Sequence, residues 1–134
     1  MFGTSYANRA SVYARLGTET SIEAASPHKL ILMLYDGALL ALRTAGIAMQ
    51  NKDIPTKGQS ISKAINIIDN GLKVSLDLNA GGELAGRLDA LYEYMSDRLL
   101  YANLHNSQAA LDEVVDLLNG LREAWAAISD QVAA

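Results

Sequence analysis

Leu111, Val114, Leu118, Leu121, Trp125, Ile128 and Val132 follow one another at alternating intervals of three and four residues. A stripe with that period stays on one face only when its helix packs lengthwise on a neighbour in a left-handed supercoil. Ile61, Ile65, Ile68, Leu72 and Ser75 repeat the pattern, and Leu84, Leu88, Leu91, Met95 and Leu99 follow it closely. Short connections between such helices favour antiparallel neighbours. The expected fold class is therefore all-α, an antiparallel up-down four-helix bundle with an N-terminal arm or short extra helix.

Caps and breakers set the expected limits. Ser26 is placed to cap a first helix, with Pro27 in its first turn, and the helix should run to Gln50. Asp53 caps a second helix, Pro55 is tolerated in its first turn, and the helix is expected to reach about Leu78. Asn79-Ala80-Gly81-Gly82 then breaks the chain. A third helix should span Glu83 to His105, and a fourth should start at the caps Asn106 and Ser107 and end near Gln131. Residues 1–23 form the arm and 24–134 the bundle domain in this reading. The arm lacks a sustained stripe but carries Phe2, Tyr6, Tyr13 and Leu16. A tethered segment acts at a high local concentration, so weak affinity is enough to dock it over apolar surface.

The first helix carries more apolar surface than a bundle requires. Leu30, Ile31, Leu32, Met33, Leu34 and Tyr35 are consecutive, and at 100° per residue they point all around the helix axis. A bundle helix needs one apolar stripe. Leu30 to Met49 is long enough to be weighed as a membrane span, but Asp36 and Arg43 within it each cost roughly 2.5–3.5 kcal/mol at a bilayer centre. No membrane span and no secretory signal are expected. On the second helix Ala64, Ile67, Gly71, Val74 and Leu78 make another apolar stripe beside the seam. Either it meets a third helix of the bundle, or it opens as a groove for the apolar face of a partner helix. Gly71 in mid-helix disfavours helix by about 1 kcal/mol relative to Ala, which calls for a packing reason.

Little supports catalysis. The chain has no cysteine and two histidines, His28 and His105, near the start of one helix and the end of another. Solvated or capping roles suit both, and neither has an acidic residue three positions earlier, as a di-metal bundle would. No catalytic residue, metal or cofactor is expected. A net charge of −4 without a basic cluster argues against nucleic acid as a partner. Asp36 either faces solvent, pairs with a neighbouring helix, or accepts a hydrogen bond at a groove edge. Tyr94 and Tyr101, seven apart and off the leucine seam, fit the rim, and Trp125 fits the core. Three functional classes stay open at this point: a helix-binding protein, a histidine phosphotransfer or other bundle enzyme, and a self-associating structural bundle or homodimer.

Five segments narrow the choice: SPHKLILMLYDGA at 26–38, SKAINIIDNGLK at 62–73, GGELAGRLDALYEYM at 81–95, RLLYAN at 98–103 and LREAW at 121–125. Together they resemble the flagellar secretion chaperones (FliS), over about Tyr13 to Trp125. The resemblance implies a cytosolic bundle that binds the C-terminal region of flagellin, which is disordered in the monomer and helical in the filament. It implies that masking this region blocks premature polymerisation and assists delivery to the flagellar type III export apparatus. An export-gate component would then meet the chaperone–client complex. Carried over, client contacts fall on Tyr6, Tyr13, Leu30, Leu34, Asp36, Ile67, Gly71 and Val74.

Overall fold

The computed structural model describes residues 26–128. Tyr6, Tyr13 and Val132 lie outside the described residues, as does the whole of the proposed arm, residues 1–23. Among the described residues four α-helices follow in order: α1 (Pro27–Gln50), α2 (Ile54–Ile67), α3 (Gly82–His105) and α4 (Gln108–Ala126). Among the described residues there is no strand.

Side-chain caps start three of the helices. The Ser26 hydroxyl accepts from the Lys29 amide at 3.1 Å, Asp53 from Thr56 at 3.2 Å, and Ser107 from Ala110 at 3.1 Å. Each such cap stabilises its helix by about 1 kcal/mol. α3 ends on Asn106 in the left-handed conformation. The buried Lys57 ammonium of α2 donates to the Asn103 carbonyl and the Asn106 side chain, both at 3.0 Å. A cation at the negative end of the α3 dipole is favourably placed.

Cross-helix bonds establish the up-down order. The start of α1 meets the end of α4 through His28 and Trp125, while Gly46 near the end of α1 faces Gln108 and Leu111 at the start of α4. Lys57 early in α2 reaches the end of α3, and Lys73 beyond α2 reaches Asp89 and Glu93 in the first half of α3. Both pairs are thus antiparallel, as an up-down bundle requires. The core holds Leu34, Ala38, Leu42 and Ala45 of α1, Ile61 and Ala64 of α2, Met95 and Leu99 of α3, and Leu111, Val114 and Leu118 of α4. Tyr35 and Tyr92 join α1 to α3 through the core, their hydroxyls 2.6 Å apart. Helix α1 is long and apolar enough to cross a membrane by composition, but α2 and α4 both pack on it and it contributes many of the buried side chains.

The second helix departs from its expected end near Leu78. Regular α-helix stops at Ile67, residues Ile68–Leu72 form a π turn in which the Lys73 amide bonds the Ile68 carbonyl, and Lys73–Ser75 close as 3₁₀. Leu76 is extended. Two local causes act together. Gly71 weakens the helix, and the Ser75 hydroxyl donates to the Gly71 carbonyl at 2.6 Å. Asp77 then caps the following turn through the amides of Asn79 and Ala80. The turn needs its glycines: Gly82 has φ +57°, and a Cβ on Gly81 would stand 2.5 Å from that of Ala85.

Two other expectations are corrected. Leu84, placed in the α3 seam, is 68% exposed, and its neighbour Ala85 is the residue that the first turn of α3 buries. Regular helix in α4 ends at Ala126 rather than near Gln131.

Candidate functional site

Helix α1 presents a second face beside the one it buries. Asp36, Leu40, Arg43, Ile47 and Gln50 recur at helical intervals and line one wall of a groove of about 680 Å³. The opposite wall comes from α4, where Gln108, Asp112, Val115, Asn119 and Arg122 recur at the same intervals. The walls run side by side because the two helices pack lengthwise on one another. Leu40 and Ile47 are 57% and 55% exposed, and they lie two turns apart, about 10.5 Å along the helix. Leu39 and Val115 are half-buried beneath them.

Asp36 closes one end of this groove. Arg122 Nε donates to its Oδ1 at 2.6 Å, with a second, longer contact from Nη2 to Oδ2 at 3.5 Å. Asp36 thus pairs with a neighbouring helix and stands at the groove edge at once. His28 and Trp125 bind each other at the same end of the bundle. Their rings stack at 5.2 Å between centroids, the Trp125 indole N–H donates to the His28 carbonyl at 2.9 Å, and His28 Nε2 is 2.8 Å from the Trp125 carbonyl. That carbonyl belongs to the last turn of α4, so the imidazole caps α4. His28 is buried, capping rather than solvated.

The remaining candidates separate by depth. Leu34, Ile67 and Gly71 are buried, Leu30 is half-buried, and Val74 is 42% exposed. Leu34 and Gly71 are in direct contact. Ala64, Ile67 and Gly71 of the second apolar stripe are therefore packed inside the bundle, and only Val74 and Leu78 reach the surface. Val74 belongs to a different groove, between the end of α2 and α3. Tyr94 and Tyr101 are exposed, off the buried seam of α3, and neither lines either groove. The Tyr94 hydroxyl and Arg98 Nε both bond Glu113, and they hold its carboxyl below the usual range, the tyrosine having the larger effect. Arg98 lies over the Tyr101 ring at 4.9 Å.

Leu40, Ile47 and Val115 were not singled out in the sequence, although their signal is present. Counting 100° per residue onward from Asp36 puts Leu40, Arg43 and Ile47 on one stripe, beside the stripe of Leu34, Ala38, Ala41 and Ala45. Among the described residues, no three His, Asp or Glu side chains gather as a metal-ligating group.

The comparisons with known proteins agree with one another. Residues 9–132 match the family described as flagellar protein FliS. The flagellar secretion chaperone FliS of Salmonella typhimurium is 51% identical over 117 residues, 87% of each chain. FliSB of Pseudomonas aeruginosa, also named a flagellar secretion chaperone, is 47% identical over 117 residues, 87% of this chain and 92% of the relative. FliS of Bacillus subtilis is 37% identical over 107 residues, 80% of this chain and 78% of the relative. With nearly the whole chain matched and identities of this size sustained along both sequences, the chain belongs to the FliS family of flagellar secretion chaperones.

Proposed function

We propose that this chaperone holds the C-terminal region of flagellin in the cytoplasm, with the α1–α4 groove as a principal docking surface. The observation that carries the reading is the pair Leu40 and Ile47, two large apolar side chains left exposed two turns apart on a helix whose other face is buried. A client helix with apolar residues one heptad apart matches that spacing. Such a client orders as it binds, at a cost of a few kcal/mol, and buried apolar area offsets the cost.

The carried-over positions then divide the work. Asp36 contacts the client at the groove end, with Leu30 half-buried near the start of α1, whereas Val74 opens into the α2–α3 groove, away from this surface. Leu34, Ile67 and Gly71 act from beneath, fixing where α1 and α2 lie. Tyr6 and Tyr13 belong to the arm, residues 1–23, ahead of the bundle domain. The action is steric: the bound region is unavailable for polymerisation until the complex meets the export apparatus and its gate component. It uses no catalytic step. The phosphotransfer alternative is weakened by His28, which is buried and engaged with Trp125.

Light scattering tests the function directly. Flagellin seeded with filament fragments should polymerise more slowly as this chain approaches stoichiometric amounts. Polymerisation at an unchanged rate would reject the reading.

A further inference from the structure

The groove between the end of α2 and α3 differs from the α1–α4 groove in charge. Two cations and three carboxylates line the α1–α4 groove, namely Arg43 and Arg122 against Asp36, Asp112 and Glu123. The α2–α3 groove, of about 600 Å³, sets one cation, Lys73, against Asp69, Asp89, Glu93 and Asp97. Lys73 spans two of them at 3.9 and 3.7 Å, and Asp69 accepts from the Ser96 hydroxyl at 2.7 Å. Between these charges Val74 and Leu100 are exposed, Leu100 by 57%, and Ile65 is half-buried. An apolar strip flanked by carboxylates, Glu93 and Asp97 exposed and Asp69 and Asp89 half-buried, is the complement of a helix with an apolar stripe flanked by lysines or arginines.

We infer that the α2–α3 groove docks a basic amphipathic helix of a second protein, separately from the flagellin segment. Two antiparallel helices leave a trough suited to a third, and the carboxylates fix which sequences enter it. Complementary charge speeds encounter and rejects acidic segments, while the contacts with Val74 and Leu100 retain the partner. A partner of this kind can be bound while the α1–α4 groove is occupied. The inference does not depend on what fills that other groove.

A synthetic helix-forming peptide of leucines flanked by lysines, and its counterpart with glutamates in place of lysines, serve as probes in fluorescence anisotropy with the full chain. The lysine peptide should bind, more weakly as salt rises, and the glutamate peptide should not. Asp97→Lys or Leu100→Asp should each weaken binding about tenfold, a loss of about 1.4 kcal/mol. Asp116→Lys on α4 changes the net charge equally and should leave affinity unchanged, as should Ile47→Asp. All four positions are exposed, and circular dichroism checks that each variant is folded. Equal effects of Asp97→Lys and Asp116→Lys would reduce the binding to bulk charge and overturn the inference. Displacement of the peptide by a flagellin C-terminal segment would return the groove to the client and overturn it too.

Discussion

A Cβ on Gly71 would stand 3.0 Å from Cδ2 of Leu34, a side chain that is itself fully buried. This contact explains the glycine in a stretch that otherwise reads as helix: the π turn after α2 lies directly on the apolar run of α1. Overpacking a core costs roughly 1–3 kcal/mol, while replacing a helical glycine by alanine returns about 1 kcal/mol. Gly71→Ala should therefore destabilise the fold by about 1 kcal/mol in urea unfolding. In a Leu34→Ala background, itself destabilised by about 2–5 kcal/mol, the same change should become neutral or stabilising. Additive effects in that cycle would disprove the contact.

The hydroxyls of Tyr35 and Tyr92 bond each other within the buried core. Tyr35→Phe or Tyr92→Phe alone strands the remaining hydroxyl and should cost about 1–3 kcal/mol. The double phenylalanine variant should recover most of that loss. Chemical denaturation of the three variants separates these outcomes, and a double variant as weak as the sum of the singles would contradict the pairing.

The same pair weakens the fold in alkali. Burial raises both tyrosines above their ordinary value of 10.0. Above that pH the unfolded chain has lost phenolic protons that the folded chain still holds, so stability falls as pH rises. Below it the two states bind these protons equally and the pair contributes no slope. Unfolding free energy followed upward from pH 9 should decline more steeply in the wild type than in the double phenylalanine variant. Equal slopes would contradict the raised values.

Trp125 is the only tryptophan, so its fluorescence reports on the junction of α1 and α4. His28→Ala removes the stacked ring and should shift the emission to longer wavelength as water reaches the indole. Trp125→Phe keeps a ring but leaves the His28 carbonyl without the indole donor, and should lower stability by about 1–2 kcal/mol. An unshifted His28→Ala spectrum would show that the stack is absent in solution.

Periodicity and capping were enough to read four antiparallel helices, because each seam repeats over several turns and Ser26, Asp53 and Ser107 each cap a helix as expected. The end of α2 was not readable in the same way. Its departure depends on a hydroxyl, Ser75, competing for one carbonyl, and on a tertiary contact between Gly71 and Leu34. The candidate site was legible only in part. Asp36 was identified, but Ile67 and Val74 share one stripe in sequence while one is buried and the other exposed. Depth along a stripe depends on where the neighbouring helix ends, which no single-helix period encodes. The stripe of Leu40 and Ile47 lies beside the core stripe of α1 and is also apolar, so the period of α1 alone does not tell which of the two is buried.

Calorimetric titration of a C-terminal flagellin segment into the wild type and into Ile47→Asp tests the docking surface most directly. Ile47 is exposed, so the substitution puts a charge in the α1–α4 groove without disturbing the core, and circular dichroism should be unchanged. Binding to the wild type with affinity reduced about tenfold or more in Ile47→Asp is the expected result. Equal affinity for both proteins would contradict the groove as the client's seat.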